Sequence, residues 1–304
     1  MISVVVCAYN QCESLRDTLN ALKAQRLDCG IEMEISVVDN NSTDRTRQVV
    51  EEAAQGTLYP IRYVFEPRQG LSHARNRGIH ETAGEWVAFT DQDTIPDPGW
   101  VAALWRGARQ YQADCVGGPM VPLWERRPPN WLVHPGVEGE FQGMLAVLDR
   151  GGEPLIARAT DRGFLNGGNM ACHRSLFNVH GGFRTDLGPS GKRSLGGDDT
   201  EMLERLLRCG CRVVYLPGAT VRHKVPASRM RVSYVRRWHF HSGRAIYRIW
   251  GNGPMPRWYL RETLVLGVRA IGAYCRCDWV RGICWEKRFW SQAGQIVESL
   301  ARHG

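Results

Sequence analysis

Strand-like and helix-like segments alternate along the first third of the chain, and this alternation limits the possible folds more than any other feature. Four apolar runs each predict a buried strand, and each is followed by a helical pattern or a helix-start signal. Helices that join neighbouring strands cover the faces of a sheet, so the sequence predicts a three-layer α/β sandwich with a mainly parallel sheet. The predicted strands are Ile2–Ala8, Glu34–Asp39, Ile61–Glu66 and Trp86–Thr90, and the predicted helices are Gln11–Ala24, 41–54, Ser72–Thr82 and one that starts at Asp97-Pro98.

Short polar residues mark the expected helix starts. Asn10 stands where an N-cap is expected, with Glu13 three residues later as in a capping box. Asp97 would cap the fourth helix, with Pro98 at its first position. We expect Asp44 to act mainly as a cap of the second helix.

Polar clusters follow three of the predicted strands, as "CAYN", "VVDNNSTD" and "FTDQDT". Ligands of open α/β sheets bind beyond the carboxyl ends of the strands, so these clusters predict a ligand site at one sheet edge. Asp91 and Asp93 are costly neighbours unless a cation compensates them, which favours Mg²⁺ or Mn²⁺, although a solvated turn is the alternative. Asp39 would accept hydrogen bonds from a nucleobase or ribose, while its neighbours cap a helix.

Two later motifs carry further candidate site residues. In "RQGLSHARNRG", a glycine precedes a helix that holds Arg75 and Asn76, which suits phosphate binding but also an ordinary basic helix. In "GGDDTE", Asp198 and Asp199 start a helix, either as a general base or only as acids favoured by the helix dipole. His223 follows a strand and is either a third metal ligand or a structural histidine.

The remainder of the chain is less regular. Residues 122–165 predict a long, partly ordered loop, which is often functional at this length. A helix over Asp199–Cys209 and a strand over Arg212–Leu216 follow, and the pattern is helical beyond Val225. Near the C-terminus one apolar stripe with basic neighbours is formed by Trp285, Phe289, Ala293, Ile296 and Leu300.

Bulk properties indicate a cytoplasmic protein that contacts an anionic surface. No secretion signal or membrane-spanning stretch is apparent in the 304 residues, and the ten cysteines lack a CxxC motif, which favours reduced thiols. From Arg205 onward there are 19 Lys or Arg and 4 Asp or Glu, about +15, whereas the whole chain carries +8. This basic tail suits nucleic acid, phosphate groups or the inner face of the cell membrane.

Taken in order, "SVVVCAYN", "VVDNNSTDRT", "GLSHARNRG", "FTDQDT", "GGNMACHRSLF", "GGF" and "GDDTEMLERLLRCGCRVVYLPGATVRH" resemble the family-2 inverting glycosyltransferases with a GT-A fold. The resemblance covers about Ile2 to His223. It implies a GT-A-type nucleotide-binding three-layer sandwich, a nucleotide-sugar donor with UDP as the family default, and a Mn²⁺ or Mg²⁺ cofactor. It also implies direct displacement at the anomeric carbon. The acceptor that we expect is a glycan or a lipid-linked saccharide, and the lipid-linked form is suggested by the basic and aromatic residues of the tail.

The resemblance also assigns roles to individual residues. Asp199 would be the catalytic base, and Asp198 stands beside it where the family usually has Glu. Asp93 and His223 would hold the metal, while Gly168 and Asn169 would lie on a loop near donor and acceptor. The nucleotide sugar would be bound by Ala8, Tyr9, Asp39, Arg75, Asn76, Asp91 and Gln92.

We therefore predict a catalytic domain over residues 1–225, with a nucleotide-sugar half (1–115) and an acceptor half (116–225). A basic amphipathic helical extension over 226–304 would follow, which either contacts the membrane peripherally or packs on the catalytic domain. No nucleic-acid-binding motif appears. An inactive nucleotide-sugar-binding relative and a nucleotidyltransferase on a similar sheet are the rival interpretations.

Overall fold

The computed structural model describes residues 1–137, 139–191 and 195–303. Contacts within the chain group them into two compact units. The first unit comprises Met1–Leu123, Val147–Gly191 and Asp198–Lys224, and the second comprises the described residues of 124–146, 192–197 and 225–304. Because the second unit also draws on two earlier segments, the division at residue 225 and the two halves before it stay predictions. Glu138 in the predicted loop and Gly304 in the predicted extension lie outside the described residues.

A mixed sheet forms the centre of the first unit. In the described part of the chain the strands are β1 Ile2–Ala8, β2 Met33–Asp39, β3 Ile61–Phe65, β4 Trp86–Asp91, β5 Thr94–Pro96, β6 Cys115–Gly117, β7 Met120–Trp124, β8 Leu155–Ile156, β9 Asn169–His173, β10 Val213–Tyr215 and β11 Val221–Val225. Eight of them form one sheet in the order β3-β2-β1-β4-β9-β6-β10-β8, and β5-β11-β7 form a smaller one.

Strand directions confirm the α/β sheet expected from the alternation. The neighbours β3-β2, β2-β1, β1-β4 and β6-β10 run parallel. β9 runs antiparallel to both β4 and β6, and β8 to β10, so the sheet is mixed. All seven residues of β1 are buried, as expected for a central strand covered on both faces.

The helices lie close to their predicted positions. They are α1 Cys12–Lys23, α2 Thr46–Ala53, α3 Leu71–Glu81, α4 Trp100–Gln110, α5 Asn130–Val133, α6 Gln142–Leu145, α7 Ser175–His180, α8 Asp198–Arg208, α9 Val232–Trp250, α10 Arg257–Cys275 and α11 Trp279–His303, with 3₁₀ turns at Pro135–Val137 and Ala227–Met230. Gly78 lets α3 lie close against β1, since a side chain at this position would overlap Val5.

Three helix starts differ from the sequence expectation, and α2 begins at Thr46 rather than at residue 41. α1 begins at Cys12, and Asn10 is not its cap, because Asn10 has a φ of 50° and accepts the Thr43 N–H at 2.8 Å. The N–H of Cys12 instead donates to Oδ2 of Asp44 at 2.9 Å, and Oδ1 of Asp44 accepts the Thr46 N–H in α2 at 3.0 Å. Asp44 therefore serves the first turns of two helices.

The fourth helix also starts later than predicted. Residues after Asp93 first form β5, which pairs with β11, and α4 begins only at Trp100. Asp97-Pro98-Gly99 is a turn, closed by the Trp100 N–H donating to the Asp97 carbonyl at 2.9 Å. Proline is equally suited to a turn, and pairing with a distant strand is not visible in local sequence.

The second unit is mainly helical. α11 packs against α9 and α10, and Glu298 on α11 accepts hydrogen bonds from Arg244 at 2.8 Å and Arg248 at 2.6 Å. The apolar stripe predicted on α11 is mostly part-buried, and only Leu300 among its five members is exposed. Among the described residues no helix has the length and apolar character needed to cross a bilayer.

Candidate active site

The candidate site begins where three parallel strands end. Strand register sets Ala8 of β1 beside Asp39 of β2, and Cys7 of β1 beside Asp91 of β4. The three polar clusters expected at one sheet edge therefore do meet there. Burial raises the pKa of the Cys7 thiol to about 12, so this thiol stays protonated beneath the site.

Asp39 is buried and held by two hydrogen bonds. Its Oδ1 accepts the Ser42 N–H at 2.9 Å, and its Oδ2 accepts the Tyr63 hydroxyl at 2.8 Å. Burial, followed by the bond to Asp39, raises the pKa of Tyr63 to about 12. Tyr63 comes from β3 and was not singled out by the sequence, because its role depends on the β2–β3 pairing.

Gln92 fixes the backbone that follows β1. Its Oε1 accepts the Tyr9 N–H at 2.7 Å, and its Nε2 donates to the Tyr9 carbonyl at 3.0 Å. The Tyr9 side chain is 38% exposed, whereas Ala8 is buried. This amide pair extends the β1–β4 pairing beyond the strands and leaves the Tyr9 ring facing solvent.

The turn that carries Asp91 and Asp93 is closed from inside. The Thr94 hydroxyl bonds the Asp91 carbonyl at 2.6 Å, and the Thr18 hydroxyl on α1 lies 2.9 Å from the Gln92 carbonyl. These bonds fix the backbone from which both carboxylates project. A buried strand thus delivers two acids at its end on a rigid turn.

His223 is brought beside Asp93 by strand pairing. In the β5–β11 register His223 faces Thr94, and the Lys224 N–H donates to the Asp93 carbonyl at 2.9 Å. Nε2 of the buried His223 lies 3.4 Å from Oδ2 of Asp93. In the described ranges, this site included, there is no group of three or more His, Cys, Asp or Glu side chains arranged to hold a metal. One carboxylate oxygen and one imidazole nitrogen therefore lie side by side at the end of the sheet.

Arg75 links both ends of the site. The side chain is 3% exposed, its Nη1 donates to Asp198 Oδ2 at 2.7 Å, and its Nη2 lies 3.5 Å from Asp91 Oδ1. Its guanidinium also stacks 5.2 Å from the centre of the Phe183 ring. Burial raises the pKa of Asp198 to about 6, against the opposing effect of Arg75. Burial likewise raises the pKa of Asp91.

Asp199 is the less buried acid of its pair. Its Oδ2 accepts the Gly167 N–H at 2.9 Å, and its Oδ1 accepts the Thr200 N–H at 2.7 Å. The first of these bonds joins α8 to the loop before β9. In that loop a side chain on Gly168 would overlap Oδ2 of Asp91, so glycine is needed for the loop to approach the acid.

Two predicted site residues, Asn76 and Asn169, form hydrogen bonds that hold nearby backbone segments. Asn76 exchanges two hydrogen bonds of 2.8 Å with the backbone of Phe183. Asn169 is fully buried, where it accepts the Trp100 indole N–H at 2.7 Å and donates to two backbone carbonyls at 2.8 Å. That Asn76 and Asn169 bind the donor or the acceptor stays a prediction. The hydrogen bonds observed here show that both residues hold neighbouring backbone segments in place.

Asn40 is a positioning residue that the sequence interpretation missed. Its Nδ2 donates to the Arg68 carbonyl at 2.7 Å, and its Oδ1 accepts the Gly70 N–H at 2.7 Å. Gly70, with a φ of 143°, leads into α3 and hence to Arg75. A polar residue directly after a buried strand was the available signal, but the sequence interpretation gave Asn40 no role.

The sequence model described as glycosyl transferase family 2 matches residues 3–177, more than half of the chain. The chain belongs to glycosyl transferase family 2. Among its relatives in this family is the succinoglycan biosynthesis protein ExoM of Rhizobium meliloti (strain 1021), 27% identical over 82% of this chain and 74% of ExoM. Glycosyltransferase GlyA of Streptococcus pneumoniae serotype 4 is 32% identical over 38% of this chain, which spans only 16% of GlyA.

Solved structures of glycosyltransferases share the fold. The mannosyltransferase PcManGT from Pyrobaculum calidifontis, in complex with GDP-Man and Mn²⁺, has a TM-score of 0.63 and 19% identity over 99% of this chain and 86% of its own. S. aureus TarS 1-349 in complex with UDP-GlcNAc has a TM-score of 0.58 and 16% identity over 99% and 91%. This family-2 chain is therefore a glycosyltransferase, and its GT-A fold, expected from the sequence, is confirmed.

Proposed function

We propose that this chain moves a sugar from a nucleoside-diphosphate donor, with inversion at the anomeric carbon, to a hydroxyl of a glycan or lipid-linked saccharide. The observation that carries the proposal is the position of Arg75 between Asp91 and Asp198. The buried guanidinium of Arg75 thereby connects Asp91, at the end of β4, with Asp198, at the start of α8. A donor-binding side and a proton-accepting side within reach of each other are what a single displacement requires.

The nucleotide would bind across the ends of β1 and β2. Asp39, held by Ser42 and Tyr63, would accept hydrogen bonds from the base, with Tyr9 and Ala8 beside it. Uracil is the base we propose, since the resemblance to the family implies a UDP donor. The ring N–H of uracil would donate a hydrogen bond to the Asp39 carboxylate. Asp91 would contact the ribose or the donor sugar, and Gln92 would hold the Tyr9 backbone.

Asp93 and His223 fit a divalent cation, Mn²⁺ or Mg²⁺. A carboxylate oxygen and an imidazole nitrogen lie 3.4 Å apart, and Asp91 adds negative charge two residues away. Two protein ligands are enough when diphosphate oxygens and waters complete the shell. When bound, such a cation would neutralise charge on the departing diphosphate.

Asp199 is the base that we propose. Asp198 is buried and already bound to Arg75, whereas Asp199 is part-exposed and is held by two backbone N–H groups. The acceptor hydroxyl would lose its proton to the Asp199 carboxylate as its oxygen bonds to the anomeric carbon. The bond from that carbon to the diphosphate oxygen breaks at the same time, and its electron pair leaves with the diphosphate.

The proposed acceptor and cellular location rest on one relative and on the charge of the C-terminal helices. ExoM is named for succinoglycan biosynthesis, which suits a role in polysaccharide or glycoconjugate synthesis. The basic C-terminal helices suit an acceptor carried at the inner face of the cell membrane, reached by peripheral contact from the cytoplasm.

Thermal unfolding with a panel of nucleotide sugars tests the donor site. We expect UDP-sugars with Mn²⁺ to raise the Tm, because a ligand that binds the folded state stabilises it by RT ln(1 + [L]/Kd). Asp93→Ala should abolish the dependence of this shift on Mn²⁺, while Asp28→Ala, at an exposed acid, should not. The proposal fails if no nucleoside diphosphate sugar stabilises the protein with either cation.

A further inference from the structure

The outer face of α10 is apolar and uncovered. Leu260, Leu264, Val268 and Ile271 recur at helical spacing, and the last three are 67%, 69% and 64% exposed. We call these four residues the α10 stripe. Contiguous exposed side chains of this size mark an interaction surface rather than the scattered apolar residues common on soluble proteins.

The opposite face of α10 is buried and packs against α11. Its buried residues include Leu266 and Ala270, and the Thr263 hydroxyl donates to Gln292 of α11 at 2.8 Å. The Tyr274 hydroxyl donates to Glu286 of α11 at 2.7 Å. These bonds fix the rotation of α10 about its axis, so the α10 stripe faces outward on a held helix.

Arginines flank the stripe without neutralising partners. Arg257, Arg261 and Arg276 are exposed, and no carboxylate in the described parts of the chain lies within ion-pairing distance of them. Arg244 and Arg248 of α9 differ, because both are paired with Glu298. Residues 225–304 carry 14 Lys or Arg against 4 Asp or Glu, so this positive charge is not balanced nearby.

Two exposed tryptophans lie near the two ends of α10 in the sequence. Trp258 at the start of α10 is 61% exposed, and Trp279 at the start of α11 is 63% exposed. Indole rings prefer the boundary between lipid tails and water. Between Leu260 and Ile271 the helix rises by about 17 Å, short of the roughly 30 Å needed to span the hydrocarbon.

We propose that the outer face of α10 docks in the plane of an anionic lipid bilayer. The α10 stripe enters the boundary of the acyl chains, and Arg257, Arg261 and Arg276 contact lipid phosphates. A second copy of the chain fits less well, since self-pairing of this face would oppose arginine to arginine. This inference specifies the membrane contact suggested above, but it does not depend on the transfer reaction.

Flotation of the whole protein with lipid vesicles tests the docking. The protein should float with vesicles of equal parts phosphatidylcholine and phosphatidylglycerol at low ionic strength, and remain below with phosphatidylcholine alone. Leu264→Glu/Val268→Glu should lower binding about tenfold or more, because two charges would enter the boundary. Val179→Glu, at a residue 73% exposed in the first unit, should bind as the wild type.

A second variant separates charge from folding. Arg257→Gln/Arg261→Gln keeps the stripe, and it should lose about tenfold or more of its binding to the anionic vesicles. The inference is overturned if the wild type does not float, or if both double variants float as it does. It is also overturned if sedimentation shows a dimer that Leu264→Glu/Val268→Glu dissociates while vesicle binding is unchanged. Each readout is lipid binding or mass, so absence of transferase activity leaves the test intact.

Discussion

Arg75 donates a hydrogen bond from Nη1 to Oδ2 of Asp198 across 2.7 Å, and both side chains are buried. The same guanidinium lies 3.5 Å from Asp91. A buried ion pair is weak evidence for stability as such, but removal of one partner leaves a charge without compensation. Arg75 therefore stabilises the fold of the site, in addition to any part it has in the reaction.

Replacement of this arginine should be costly. We expect Arg75→Ala to lower the free energy of unfolding by about 3–5 kcal/mol, because Asp198 and Asp91 would lose their buried counter-charge. Arg77→Ala is the matched control, since Arg77 is part-exposed and pairs with Glu81 one helical turn away, a bond worth less than about 1 kcal/mol. Urea denaturation measures both, and equal losses would contradict the burial argument.

The loop before β9 offers a test of steric fit. We expect Gly168→Ala to lower kcat/KM by about tenfold to a hundredfold, because the new methyl group would displace the Asp91 carboxylate. Gly152→Ala is the control, since a methyl group there would meet no atom within 4 Å. Initial rates of nucleoside diphosphate release measure the effect. If Gly168→Ala and Gly152→Ala have the same kcat/KM, the close approach of Gly168 to Asp91 does not matter for activity.

Tyr63 should act through Asp39. We expect Tyr63→Phe to weaken donor binding about fivefold, because Asp39 would lose the hydroxyl that orients it. Tyr59→Phe is the control, because it removes a similar hydroxyl bond, to the Gln25 carbonyl at 2.8 Å, away from Asp39. Calorimetric titration with UDP and Mn²⁺ separates the two variants. Equal affinities in both would remove Tyr63 from the donor site.

The sequence predicted the sheet and the ends of its first strands, because the spacing of apolar residues and the positions of glycines are local signals. It predicted Asp91 and Asp93 as a unit for the same reason. It missed the bonds of Asn40 and Tyr63, which depend on neighbouring strands. It also placed the fourth helix too early, because β5 exists only through pairing with β11.

The tail illustrates the same limit. An apolar stripe on α11 was visible in the sequence, yet periodicity cannot tell a face covered by other helices from one left open. Contacts of α11 with α9 and α10 cover most of that stripe, and the open face belongs to α10.

Stability of the second unit should fall in acid through His239. Burial lowers the pKa of His239 to about 4, although its ring lies 2.9 Å from the Val235 carbonyl. Between pH 6.5 and 4 the unfolded chain therefore binds a proton that the folded chain does not, so the free energy of unfolding decreases as pH falls. The loss should reach roughly 2–3 kcal/mol near pH 4.

A non-titrating replacement isolates this contribution. His239→Gln should flatten the decrease between pH 6.5 and 4, whereas His80→Gln, at a largely exposed histidine, should leave it unchanged. Denaturant unfolding at several pH values measures the slope. An unchanged slope in His239→Gln would assign the acid sensitivity to other groups.

The most direct test of the proposed reaction is single-turnover release of nucleoside diphosphate by the wild type and by Asp199→Asn, with Mn²⁺ and the best-bound nucleotide sugar. The wild type should release the diphosphate and yield a product of inverted anomeric configuration by NMR. Asp199→Asn should bind the donor equally well and react more slowly by about a hundredfold or more, as expected for a lost base. Wild-type turnover in Asp199→Asn, or a product of retained configuration, would contradict the account.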